Sequence, residues 1–154
     1  MSKLVGILVQ LDISGAAGSG TDDPIYLGVM GSRGGREFPL RRSGKNDWEA
    51  GSKARYIIGT VPIEDVPPDA AVASRTESGK RNSPDRSDID AEAIQTVYLR
   101  KREGVSSITD DAVSILRGEA IIYDADGATQ RWYLDSKLGI WLGTQYGSQV
   151  ALSK

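Results

Sequence analysis

At 154 residues with a formal net charge of −2, the chain is the size of one domain and lacks the basic excess that displaces counterions from phosphates, which argues against nucleic acid as a partner. With 39% hydrophobic and 26% charged residues it reads as globular rather than fibrous or disordered. Neither Cys nor His occurs, which excludes disulfides, thiolate or imidazole zinc sites, and Ser-His-Asp or Cys-His catalysis; any metal must be held by oxygen, favouring calcium or magnesium.

The N-terminal run MSKLVGILVQLDIS carries Val5, Ile7, Val9 and Leu11 at every second position, the period of a half-buried strand. Gln10 and Asp12 interrupt it, and no cleavage site follows a continuous apolar core, so it does not read as a signal peptide. No stretch approaches a membrane span in length, and the default expectation is a cytoplasmic protein, with export by a route lacking a cleaved signal left open. Ile25, Leu27 and Val29 repeat the alternation after a Ser/Gly/Ala loop. Short strands are expected at Glu37 to Leu40 and Arg55 to Ile58, separated by the turn-rich run RRSGKNDWEAGS.

Residues 62–93 hold most of the prolines and many Ser, Asp, Arg and Lys residues without a sustained apolar period, so a flexible insertion is expected there. An ordered excursion docked on the body is the alternative, because structureless loops of this length are uncommon in compact domains. Beyond it, AIQTVYLRK (93–101) and VSILRGEAIIYDA (113–125) read as strands. Asp126-Gly127 suits a two-residue hairpin turn with positive φ at both positions. GATQRWYLDS returns as the partner strand, then IWLGT and SQVALSK follow. The pattern predicts one all-β domain over residues 1–154, an antiparallel sandwich or barrel of about eight strands.

Acidic groups recur in the loops. Gly20-Thr21-Asp22-Asp23, taken alone, is ordinary turn chemistry, and so is Asn46-Asp47-x-Glu49. The third instance, Thr109-Asp110-Asp111, changes the balance, because sandwich connections alternate between two ends and distant loops can gather at one of them. Carboxylates brought together repel unless a cation neutralises them. Calcium takes its six to eight oxygens from carboxylates, amides and backbone carbonyls, the groups these loops supply.

The run GTDDPIYLGVMGSRG followed by NDWEAGS resembles the PLAT domain, also called the lipoxygenase homology or LH2 domain, whose pattern often reads AGTD-x-x-[VI]-Y-[LI]-x-[LV]-x-G and then ND[FW]E-x-G. The similarity continues more weakly through TVYLRKRE, ITDDAV, the Asp126-Gly127 hairpin and RWYLDSKLGIWL, covering nearly the whole chain apart from the insertion. The resemblance implies an antiparallel β-sandwich with calcium sites. Thr21, Asp22 and Asp23 match the family's first calcium loop, Asn46, Asp47 and Glu49 its second, and Asp111, with the carbonyl of Ile108, the later loop that completes a site. It also implies a role in docking to a separate protein or to lipid. The loops SGAAGSG and VSSIT lack the Trp or Phe that anchors such domains in membranes, which ranks protein above lipid as the expected partner. Trp48 stands where the family usually has Phe and is expected to pack beneath its loop, Trp141 is expected in the core, and Trp132 is expected at the surface.

Other signals are weaker. Gly44-Lys45 and Gly79-Lys80 lack the spacing of a phosphate-cradling loop, and Asp124-Ala125-Asp126-Gly127 lacks the helices of an EF-hand. RGGREFPLRR reads as a solvated edge strand. The function expected is a non-catalytic calcium-binding recognition module. Its competitors are a metal-independent protein-binding sandwich and an enzyme using a carboxylate pair such as Asp22 and Asp47. The partner's identity and the oligomeric state are not written in the sequence.

Overall fold

A computed structural model describes residues 2–21, 25–40, 48–72, 82–84, 87–102, 112–143 and 147–154. Nine strands form two sheets: β1 (Leu4–Ile13), β2 (Ile25–Gly31), β3 (Gly34–Leu40), β4 (Lys53–Gly59), β5 (Ala71–Val72), β6 (Ile94–Lys101), β7 (Val113–Asp124), β8 (Thr129–Leu142) and β9 (Gln149–Leu152). One sheet runs β5-β4-β1-β7-β8 and the other β3-β2-β6-β9. All pairings are antiparallel except the two-residue β4–β5 contact, which is parallel and had no periodic signal to announce it. The described residues thus form the all-β antiparallel sandwich expected from the alternation. Among them no helix is long and apolar enough to cross a membrane.

The core is the set of inward residues that the period-two pattern selects: Ile7, Val9 and Leu11 of β1 face Ile25, Leu27 and Val29 of β2 and Val97 and Leu99 of β6 across the layer. Trp48 also joins this core, beneath its loop. The other two tryptophans exchange the places expected of them. Trp132 is 6% exposed and pairs with the inward Ala120, whereas Trp141 is only half-buried. Trp132, Leu134 and Leu142 all face the core from even positions of β8, so Trp141, at an odd one, falls on the other face. The register break between Arg117↔Asp135 and Ile115↔Ile140 is taken up on the β7 side, where the inward set passes from Ile122 and Ala120 to Ile115 and Val113. Two short strands had been expected here; instead one 14-residue strand runs through this irregularity, with Gly139 at a left-handed φ of 84° and the same side-chain parity in both halves.

The β7–β8 turn also differs from a two-residue hairpin. Only Gly127 has positive φ, and the turn closes through Gly127 N–H to Asp124 O at 3.2 Å and Asp124 N–H to Ala128 O at 3.1 Å. The Asp124 carboxylate accepts from the N–H groups of Asp126 and Ala128 at 2.9 and 2.8 Å, which is why an acid suits the strand end.

Of the stretch 62–93, the parts 62–72, 82–84 and 87–93 are described, and they dock on the body. Ile89 is 1% exposed within the core, and Leu4 N–H donates to Ile89 O at 2.8 Å. Arg36 on the edge strand β3 donates to Ser83 O at 3.0 Å and Ser87 Oγ at 2.9 Å, while Asn82 Nδ2 reaches Pro39 O at 3.3 Å. With β5 alongside β4, the two described flanks of this stretch lie along the sheet edges that β3 and β4 would otherwise expose. The remaining residues of the stretch, 73–81 and 85–86, lie outside the described set.

Candidate functional site

Strand register decides which loops share an end. Ile25, at the start of β2, faces Leu40 at the end of β3 and Lys101 at the end of β6. In the other sheet Asp12, near the end of β1, faces Lys53 at the start of β4 and Arg117 in the first half of β7, while Val113 faces Leu142. The connections 14–24, 41–52 and 102–112 therefore all join strand ends at one tip of the sandwich. The insertion, the β2–β3 hairpin and the β7–β8 turn belong to the opposite tip.

Backbone hydrogen bonds tie the flanks of the three acidic segments together. Ser14 N–H donates to Ser114 O, Ser114 N–H to Ser19 O, Thr21 N–H to Trp48 O and Gly51 N–H to Ser14 O, each at 2.9 Å. Asp22 follows Thr21 and Asp47 precedes Trp48 by one peptide link each, about 3.8 Å between Cα atoms. Asp111 lies three positions before Ser114. Gly20 makes the close approach feasible: a Cβ there would stand 2.8 Å from both Ala50 N and Trp48 O. Trp48 is the strained member, a buried bulky residue at φ 62°, a region that costs about 1–2 kcal/mol outside glycine.

Of the predicted ligands, Thr21 is buried and Glu49 projects into solvent, its carbonyl accepting from Ser52 N–H at 3.0 Å. Asp22, Asp23, Asn46, Asp47, Ile108 and Asp111 lie outside the described residues, and among the described residues no three acids group together. The floor beneath the tip is polar. The hydroxyls of Ser19, Ser52 and Ser114 and the indole N–H of Trp48 are buried without a hydrogen-bond partner. The donor set at this tip is oxygen throughout, hydroxyl, amide, carbonyl and carboxylate, which fits a hard cation and not a soft one. Periodicity had not drawn attention to Gly20, Ser19 or Ser114, because close backbone approach leaves no mark on hydropathy.

No family model and no curated protein matches this sequence. Solved structures do match in shape. The alpha-toxin of an avian Clostridium perfringens strain superposes with a TM-score of 0.64 at 15% identity, over 99% of this chain and 32% of the toxin. The Clostridium absonum alpha toxin gives 0.59 at 13%, over 96% and 31%. Coral 8R-lipoxygenase, which is activated by calcium via a C2-like domain, gives 0.59 at 17%, over 97% and 17%. The chain has the PLAT-type fold. This PLAT-like sandwich spans 17% to 32% of the length of those three proteins, the share of a single module within each.

Proposed function

We propose that the chain is a non-catalytic recognition module that binds calcium between the loops at one tip and thereby organises a surface for a separate protein partner. The observation that carries this reading is the backbone zip between Ser14, Ser19, Thr21, Trp48 and Ser114, which fixes the flanks of three acidic segments at one place. Its support is chemical. Carboxylates held close together favour a divalent cation, and cation binding would stiffen the loops and invert their local charge. The ligands would be Thr21, Asp22, Asp23, Asn46, Asp47 and Glu49, with Asp111 and the Ile108 carbonyl from the later loop. The calcium activation of coral 8R-lipoxygenase via a C2-like domain agrees with this reading. Calorimetric titration with calcium tests it, alongside melting in calcium and in chelator. Saturable heat with a raised melting temperature, both lost in an Asp47→Asn, Asp111→Asn variant, is expected. No heat and no thermal shift at millimolar calcium would leave a metal-independent interaction module.

A lipid surface is the second reading, and one observation favours it. Leu138 is 90% exposed beside Gly139, whose backbone abuts Ser114 at the same tip, so an apolar side chain stands out where the loop aromatics are missing. Co-sedimentation with anionic vesicles in the presence of calcium, lost in a Leu138→Ser variant, would move the assignment from protein to lipid.

A further inference from the structure

On the outer face of the β5-β4-β1-β7-β8 sheet the strand register aligns a row of polar side chains. Arg55 on β4 faces Gln10 on β1, Gln10 faces Glu119 on β7, and Glu119 faces Tyr133 on β8. Their chain neighbours Tyr56, Val9, Ala120 and Trp132 lie in the core, so all four point outward. Neighbouring strands stand about 4.8 Å apart, which makes the step from Gln10 to Tyr133 roughly 10 Å. Gln10 and Glu119 are shared by two adjoining hollows. One, of about 240 Å³, is walled by Leu8, Ile121, Arg55 and Pro67 of the docked excursion. The other, of about 290 Å³, is walled by Arg117, Tyr133 and Asp135. Through the two shared side chains they form one groove across β1, β7 and β8.

The charges of this groove are matched internally. Arg55 Nη1 donates to both carboxylate oxygens of Asp69 at 2.9 Å, Arg131 Nη1 donates to Glu119 Oε1 at 3.0 Å, and Arg117 Nε lies 3.4 Å from Asp135 Oδ1. Gln10 is held between them: its Oε1 accepts from Arg55 Nε at 3.1 Å and its Nε2 donates to the buried Asp12 at 3.3 Å. An ionic ligand would have to displace these pairs, whereas a neutral one can add to them. Planar amide, carboxylate and guanidinium groups each offer paired donors or acceptors, the pattern that adjacent hydroxyls of a sugar ring satisfy. Leu8, Ile121, Pro67 and the 47%-exposed Tyr133 supply the apolar and aromatic surface against which the C–H face of such a ring packs.

We propose that this groove binds a neutral oligosaccharide, with Tyr133 as the stacking platform and Gln10 and Glu119 as hydroxyl partners shared by two successive rings. Because existing bonds already fix Gln10 and Glu119, little side-chain freedom is lost on binding. The site lies on a sheet face and uses no metal, so it stands apart from the calcium reading of the tip.

The test follows amide chemical shifts of the isotope-labelled chain in chelator, titrated with maltohexaose, cellohexaose, xylohexaose and chitohexaose. A sulfated heparin hexasaccharide is the charged comparison. Saturable shifts are expected with at least one neutral sugar, concentrated on the β1, β7 and β8 segments that carry Gln10, Glu119 and Tyr133. Tyr133→Ala should weaken that binding roughly tenfold, the effect of losing one aromatic contact, and Tyr133→Phe should retain most of it because the ring remains. Gln10→Ala should weaken it as well; if that variant melts lower, the exposed Tyr133 carries the comparison alone. Absence of saturable shifts with all four neutral sugars overturns the proposal, as do shifts seen only with the sulfated one. Shifts centred elsewhere on the chain, or parental affinity in Tyr133→Ala, overturn the site.

Discussion

Replacing Gly20 by Ala probes the joint on which the candidate site depends. The new methyl group would stand 2.8 Å from Trp48 O and Ala50 N, and ordinary contacts begin near 3.4 Å, so the two loops must part by about 0.6 Å. That stretches the Thr21 N–H to Trp48 O bond from 2.9 Å toward about 3.5 Å, beyond useful hydrogen-bond geometry. Loss of this bond costs about 1 kcal/mol and the overpacking about 1–3 kcal/mol. For a chain of this size each kcal/mol lowers the melting temperature by about 2–4 °C, so a fall of roughly 5–15 °C is expected. The control lies in the same loop: a Cβ at Gly15 meets nothing within 4 Å, and Gly15→Ala should be nearly neutral. Differential scanning fluorimetry in chelator and in calcium reads both variants. The Gly20 variant should also show a smaller calcium-induced shift, since its loop flanks no longer meet at the same distance. Equal melting temperatures for the two variants would refute the close approach, and with it the argument that these segments are held together by backbone bonds.

Other consequences can be checked in parallel. Ile89→Ala removes a side chain buried in the core from a polar stretch and should cost about 2–5 kcal/mol in urea unfolding, a loss a free linker would not show. Burial first, then the nearby Asp65 carboxylate, push the pKa of Tyr123 up to about 12. The neutral phenol is favoured in the fold, so its stabilising contribution is complete below pH 10 and lost as pH rises from about 10 to about 12. Tyr123→Phe should unfold with a shallower pH dependence in that window, as read by urea unfolding at pH 8 to 12. Arg36→Ala removes the guanidinium bonds to Ser83 and Ser87 and should speed limited proteolysis within residues 82–90, as judged by mass spectrometry, with little change in global melting.

The strands were legible wherever a half-buried face imposed strict alternation. β1, β2 and β6 follow from Val5 to Leu11, Ile25 to Val29 and Val97 to Leu99, because moving one residue would turn the whole apolar set to solvent. At β8 the alternation holds, with Trp132, Leu134 and Leu142 inward and Trp141 on the other face, but reading the segment as two separate strands supplied no common phase by which to place the two tryptophans. Ile89 was hidden for the opposite reason: one apolar residue among Ser, Asp and Arg has no period, although one buried isoleucine is enough to anchor a loop. Lys101 was visible as the next inward position after Leu99, but a charged residue in that register reads as the point where the strand leaves the core. Its burial follows from tertiary context. The grouping of acidic loops could be anticipated only as one option among sandwich connections, and register between distant strands is what selects it.

The division of labour between the two tips follows from the same topology. The long connection between β4 and β6 leaves and enters at the tip opposite the acidic loops, and its described parts lie against β3, β4 and the N-terminal residues, with Ala91 N–H bonded to Ser2 O at 2.8 Å. The β8–β9 side is closed in turn by reciprocal bonds between Tyr133 and Ser153 at 2.6 and 2.7 Å. At these points both lateral boundaries have backbone groups engaged, and strand addition there would require breaking existing contacts. The acidic tip and the outer sheet faces remain to be compared. On one of these faces the Tyr98 ring occupies the space above Gly28 and Arg100 lies 4.7 Å over the Tyr26 ring, a surface already committed to its own contacts. The tip differs in kind: it combines a strained tryptophan, unpartnered buried hydroxyls and an internal lysine on a rigid two-sheet support. Binding free energy from a cation is used most effectively at such a place, because ordering a few loop residues on a fixed base costs far less than ordering the fold.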